Sequence, residues 1–272
     1  MKAASFTYHK PESVEAALDL LAADGAAALA GGQSLMPMMN FRLATPETLV
    51  DLNGLVDLAG VAVADGRLAI GAMTRYRELE RSPEIAAHAP LIARALPMIA
   101  HPAIRNRGTI GGSCALADPA AEIPALLLAL GGEIVLRSHS GERRVPAEAY
   151  FLGMFETARA DNELVARIEI PLPPSGQRTG FHEIARRRGD YAMAGCAIAA
   201  AADLTDPRIA LFGVADRPVR AKAAEAALPN DVDLAIAALA ELEFSGDLHA
   251  DETTKRHLAG IALQRAWAEC IA

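Results

Sequence analysis

Two glycine pairs restrict what this chain can build. Ala30-Gly31-Gly32-Gln33-Ser34 and Thr109-Ile110-Gly111-Gly112-Ser113 each lie among apolar residues and end in a hydroxyl. A Gly-Gly step lets the backbone pass close to another group and turn its N–H groups toward one point. The hydroxyl adds a donor. Neither string contains Lys, and neither matches GxGxxG or GxxxxGK[ST], so the usual dinucleotide fingerprint and the ATP-hydrolysing P-loop are both missing. The pattern suits two loops that converge on a large phosphate-bearing cofactor held mainly by backbone amides.

Composition narrows the class. The 272 residues are 52% hydrophobic, enough for two domains and a sizeable core. A net charge of −8 and 4% aromatic residues argue against a basic or base-stacking nucleic-acid surface. Cys114, Cys196 and Cys270 are far apart and form no CxxC, which speaks against a metal centre or disulfide framework and for a reducing compartment. No apolar run reaches the roughly 20 residues of a membrane span, and the first residues have no apolar signal core. A soluble, cytoplasmic protein is expected.

The chain begins with a β-α-β-α-β pattern: strands at 6–8, 26–30 and 48–52, helices from Ser13 to Gly25 and at 35–43. Parallel strands with right-handed crossovers follow from it. Asp65-Gly66 predicts a type I′ hairpin between 61–64 and 67–71. Helical stretches are expected at 76–80, 90–99 and 122–130, a second hairpin over 133–145 and a strand at 163–170. Pro171-Leu172-Pro173-Pro174-Ser175-Gly176 reads as a linker. Beyond it, strands at 180–187, 196–203 and 208–214 suggest an antiparallel sheet, followed by helices.

Three longer strings carry a resemblance. The first runs Ala30-Gly31-Gly32-Gln33-Ser34-Leu35-Met36-Pro37-Met38-Met39-Asn40-Phe41-Arg42-Leu43. The second runs from His101-Pro102-Ala103-Ile104-Arg105-Asn106-Arg107 through the Thr109 string to Ala117-Asp118-Pro119-Ala120-Ala121-Glu122. The third is Ala185-Arg186-Arg187-Arg188-Gly189-Asp190-Tyr191-Ala192-Met193. In this order and spacing they resemble the FAD-binding medium subunit of the molybdenum hydroxylases, the xanthine dehydrogenase and carbon monoxide dehydrogenase family, over essentially the whole chain. The resemblance implies an α+β chain: a two-subdomain FAD-binding domain of the vanillyl-alcohol-oxidase (PCMH) type over 1–174, divided near 54, then a small α+β domain over 175–272. It further implies one FAD here, with a molybdenum–pterin in a large partner subunit and two [2Fe–2S] clusters in a small one. Electrons would pass from those clusters through FAD to an external acceptor, in a dimer of heterotrimers.

Carried onto this sequence, the resemblance places the first cofactor contacts at Ala28, Leu29, Ala30, Gly31, Gly32, Gln33, Ser34, Leu35 and Met36. A second group is Ala100 with Thr109, Ile110, Gly111, Gly112 and Ser113. Glu122 would face the sugar side of the flavin, or else be a helix N-terminal charge favoured by the macrodipole. Tyr191 would lie beside the flavin ring, and Val165 and His182 near it. Arg105 and Arg107 either steady the pyrophosphate or pair with core carboxylates. The run at 186–188 reads as a solvated or partner-facing surface, His101 as structural and Cys114 as buried filler. No catalytic residue and no metal ligand is expected. Two other functions are open to such a chain: a self-sufficient flavin oxidase or dehydrogenase, and a flavin-free assembly scaffold.

Overall fold

The computed structural model describes residues 2–272. The first unit is built as the alternating pattern requires. Strand β1 (Thr7–His9) leads to α1 (Val14–Leu21), whose N-cap Ser13 accepts from Ala16 N. Gly25 turns the chain at φ 73° into β2 (Ala26–Leu29), then α2 (Leu35–Asn40) and β3 (Thr48–Asp51). β3 is the central strand and pairs in parallel with both neighbours, in the order β1-β3-β2. Strand β2 therefore ends, with the first glycine pair, beside the carboxyl end of β3.

The second unit is an antiparallel five-stranded sheet covered by helices. β4 (Val61–Ala64) and β5 (Arg67–Gly71) form the hairpin, with Asp65 at φ 51° and Gly66 at φ 72° as a type I′ turn requires. Short helices α3 (Tyr76–Leu79), α4 (Pro83–His88), α5 (Pro90–Ala95) and α6 (Pro102–Arg105) follow, then α7 (Ile110–Leu116) and α8 (Glu122–Leu130). Next come β6 (Glu133–Ser138), β7 (Gly141–Pro146), α9 (Ala147–Tyr150), the small hairpin of β8 (Phe151–Gly153) and β9 (Glu156–Thr157), and β10 (Leu164–Pro171). The sheet order is β4-β5-β10-β6-β7. Helix α8 is buried on almost every side because it lies between this sheet and the next one.

That next sheet is antiparallel: β11 (Arg178–Ala185), β12 (Ala192–Ala200), β13 (Arg208–Phe212) and β14 (Val219–Arg220). Helices α10 (Lys222–Ala227), α11 (Val232–Ala238) and α12 (Glu252–Ile271) follow. Alternation along the strands divides its side chains between two cores. Phe181, Ala197 and Phe212 join the core of the second unit, while Cys196, Ile198 and Leu211 pack beneath α12. The α+β class expected from the sequence is the one found. No helix among the described residues is long and apolar enough to cross a membrane.

Several elements differ from expectation. Helix α4 lies between Ser82-Pro83 and Ala89-Pro90, where closely spaced prolines hide a single buried anchor, Ile85. The second glycine pair is not a loop. It forms the opening turn of α7 after its N-cap Thr109. Strand β12 starts at Ala192, four residues before the expected start at 196, and Gly195 leaves room for Phe212, whose ring would lie 2.1 Å from a Cβ on it.

Candidate functional site

The two glycine pairs meet but differ in what they offer. Gly31 faces Arg107 and Gly108: a Cβ on it would stand 2.3 Å from the Arg107 carbonyl oxygen. Gly32 is left-handed at φ 71°. Among the described residues, the N–H groups of Gly31, Gly32, Gln33 and Ser34 donate to no acceptor of the chain. The Gln33 side chain instead donates to Gly31 O at 2.9 Å, and Ser34 caps nothing. Four successive backbone donors and a hydroxyl are thus free on one turn, with Ala28 and Leu29 in the strand behind and Leu35 and Met36 in the helix ahead.

At the second pair the donors are committed. Ile110 N donates to Thr74 O (3.1 Å), Gly111 N to Ala72 O (2.9 Å) and Gly112 N to Thr109 Oγ1 (3.2 Å). Gly111 is needed for packing, since a Cβ there would lie 2.4 Å from that of Ala72. The reading of both pairs as amide cradles is corrected accordingly. The first turn has free amides, and the second is a close-packed helix start that carries Ser113.

A second group of residues gathers where α7, α8 and the last sheet meet. The Tyr76 hydroxyl is buried beside Ser113 and near Glu122 and Tyr191, and burial raises its pKa. Burial, Glu183 and Asp118 together push the Glu122 carboxyl up to about 8. Burial alone pushes Glu183 up to about 7. Both Glu183 carboxyl oxygens are buried without a hydrogen-bond partner. Comparably buried Glu80, Glu163 and Glu169 each meet an arginine. Asp118, also raised by burial, accepts from Ala120 N at 2.9 Å and shapes the turn before α8. At Glu122, desolvation outweighs the backbone N–H at the helix start that favours its charge. Tyr191 is 64% exposed, with its hydroxyl end enclosed near Asp118 and Glu122 and its phenol pushed up to about 12.

Ala100 stands at the edge of this group in a left-handed turn, φ 45°. Its carbonyl and that of Ile99 each accept from Arg105 Nη1 at 2.9 Å, while Arg105 Nε meets Glu80 at 2.7 Å. Arg105 is therefore a core ion-pair residue. Gly189 closes on Ala100 and on the His101 ring, which brings the 186–191 turn and Tyr191 to this edge. Arg107 is exposed, as is the run Arg186, Arg187 and Arg188.

Two expected contacts are not brought here. His182 lies on the opposite face of β11 from Glu183, with Nε2 3.1 Å from Arg265 Nη1 of α12; strand alternation sends it to the wrong side. Val165 is buried in the core cluster that contains Ile110 and Cys114, so it supports α7 from below. Sequence reasoning missed Glu183. Its place two residues after Phe181 on one strand face was a usable signal; its lack of a partner was not.

The family model described as the FAD binding domain in molybdopterin dehydrogenase matches residues 4–173. That of the CO dehydrogenase flavoprotein C-terminal domain matches 179–270. The 6-hydroxypseudooxynicotine dehydrogenase complex subunit alpha of Paenarthrobacter nicotinovorans is 41% identical over 253 residues, 89% of this chain and 86% of that one. The carbon monoxide dehydrogenase medium chain of Hydrogenophaga pseudoflava is 38% identical over 281 residues, 97% and 98% of the two. A solved carbon monoxide dehydrogenase from that bacterium, lacking the Mo-pyranopterin moiety, superposes with a TM-score of 0.94 at 40% identity, over 99% of this chain and 100% of that one. The chain thus belongs to the FAD-binding domain family of the molybdopterin dehydrogenases, with a carbon monoxide dehydrogenase flavoprotein domain at its carboxyl end.

Proposed function

We propose that this chain is the FAD-carrying medium subunit of a molybdenum hydroxylase, assembled with a large molybdopterin subunit and a small [2Fe–2S] subunit as a dimer of heterotrimers. The observation that carries the reading is the turn at Gly31–Ser34, whose four free N–H groups suit a pyrophosphate. The unpartnered carboxyl of Glu183, beside the buried Glu122, fits the same group, because FAD brings hydroxyl and N–H donors that Glu183 lacks within the chain. Bound FAD supplies the redox chemistry, accepting electrons singly and delivering a pair.

The residues of the chain bind and orient. Gly31, Gly32, Gln33 and Ser34 hold the pyrophosphate through backbone N–H groups, and Ser113 adds a hydroxyl from α7. Asp118 and Glu122 receive hydroxyls of the sugar side. Tyr191 covers the ring at the exposed edge and restricts water there. With the chain divided into 1–174 and 175–272, Tyr191 stands on the second unit and the free-amide turn on the first, so the ring would lie between them. Three free cysteines accord with a cytoplasmic setting.

The test is a visible spectrum of the purified full chain and of the co-expressed complex, before and after heat release of the cofactor. A flavin band with FAD released in equimolar amount supports the proposal. Colourless protein that takes up no FAD, alone or in the complex, overturns it.

A further inference from the structure

The two glycine pairs come from different units of the fold, and one guanidinium joins them. Asn53 follows β3 and donates through Nδ2 to Ala30 O (2.9 Å) and to Asp51 Oδ1 (2.6 Å). Its Oδ1 accepts from Arg75 Nη2 at 3.1 Å. Arg75 Nη1 donates to Asn106 O at 3.0 Å, next to the Arg107 carbonyl that faces Gly31. The strap thus runs Ala30, Asn53, Arg75, Asn106. It ties the free-amide turn to the segment that enters α7. The backbone of Arg75 is fixed as well, since its N–H donates to Glu78 Oε2 at 2.8 Å.

Both acceptors of the Arg75 side chain are neutral, and its guanidinium forms no ion pair among the described residues. Arg105, Arg143 and Arg167, by contrast, each meet a carboxylate. The Gly31–Ser34 turn contains no cation, and backbone amides alone leave most of a pyrophosphate's charge uncompensated. A guanidinium has five N–H donors in a planar fork, of which the strap uses only part.

We propose that Arg75 is a positioning residue for the cofactor: through Asn53 it sets the spacing of the two segments, and its unpaired charge selects a ligand that carries a pyrophosphate. This rests on the FAD reading above and adds the formal positive charge that the amide turn lacks, which strengthens the preference for FAD and ADP over riboflavin.

The experiment measures the affinity of the full-length, flavin-stripped chain for FAD, ADP and riboflavin, each over a range of sodium chloride, for the natural protein and for Arg75→Gln and Arg75→Lys. Loss of a charge-assisted contact predicts FAD and ADP weakened about 10- to 100-fold in Arg75→Gln, with riboflavin unchanged. The salt dependence of FAD binding should flatten in that variant. Arg75→Lys restores the salt dependence but only part of the affinity, because it keeps the charge and loses the fork. Equal weakening of all three ligands, or FAD affinity unchanged in Arg75→Gln, overturns the proposal. If Arg75→Gln does not fold, Arg75→Lys and the natural protein decide: equal salt slopes for FAD and riboflavin overturn it. A natural chain that binds none of the three ligands counts against the FAD reading itself, a separate outcome.

Discussion

The Arg107 carbonyl oxygen lies 2.3 Å from the point where a Cβ on Gly31 would stand, so the two glycine-bearing segments are in backbone contact with no room for a methyl group. Gly32 differs. Its Cβ would meet only Leu29 Cδ1 at 3.1 Å and Met36 Cγ at 3.2 Å, both ends of flexible side chains, although its φ of 71° strains any substituent. Gly111 resembles Gly31, with Ala72 backbone atoms 2.7 Å from its Cβ position.

An order of severity follows. Gly31→Ala and Gly111→Ala should each cost about 2–3 kcal/mol of stability, because backbone must separate to admit the methyl. Gly32→Ala should cost about 1 kcal/mol, the strain of a left-handed alanine. Gly111→Val should impair folding itself, so lost FAD in that variant would not identify a ligand contact. Thermal denaturation with a parallel measure of bound flavin separates the cases. A Gly32→Ala melting point lower than that of Gly31→Ala would refute this order.

Glu122 and Glu183 form a buried acidic pair without a cation, and this has a pH consequence. In the folded, flavin-free chain their carboxyls are raised to about 8 and about 7, against an ordinary value of 4.5. Groups with raised folded-state values hold protons that the unfolded chain gives up sooner. Their full contribution to stability is present below about 4.5 and is lost as pH rises through 7 and 8. Stability should therefore fall by on the order of 6 kcal/mol from pH 5 to pH 8.5. Glu122→Gln should remove a large part of that slope and raise the melting point at pH 8. Saturating FAD should flatten it too, if the cofactor supplies the missing donors. A flat profile for the flavin-free chain would show that the pair is not desolvated.

Local signals recovered much of this architecture. Ser13 starts the first helix, Gly25 turns the chain into β2 rather than ending that helix, which stops at Leu21, Asp65-Gly66 closes the hairpin, and Gly131 at φ 66° ends α8. The first glycine pair was legible as a donor turn because a left-handed glycine and a following hydroxyl act locally. The second has the same local chemistry, but its role is decided by Ala72 and Thr74, which lie far back in the sequence. Glu183 and Arg75 were invisible for a related reason. Whether a charge is paired depends on strands brought together only by the fold, and neither residue belongs to a recognisable string. Strand alternation could have excluded His182 once Phe181 was assigned to the core.

Arg105 and Glu80 are a mostly buried ion pair, with side chains 9% and 12% exposed. Removal of one partner strands the other and frees the Ile99 and Ala100 carbonyls. Arg105→Met should cost about 3–5 kcal/mol and loosen the turn that meets Gly189. Ala100→Gly should stabilise by a few tenths to about 1 kcal/mol, because it relieves the positive φ without touching the ion pair. Chemical denaturation tests both. A destabilised Ala100→Gly would mean that its methyl packs against Gly189 more strongly than its backbone is strained.

Tyr191 separates stability from function. Its ring is exposed and carries little of the core, so Tyr191→Ala should change stability by no more than about 0.5 kcal/mol. The same change should open the proposed ring site to solvent. Iodide should then quench the fluorescence of bound flavin more strongly, while Tyr191→Phe, which keeps the ring, should match the natural protein. Equal iodide quenching in all three proteins would place the flavin ring away from Tyr191 and leave the free-amide turn as the only part of the site still supported.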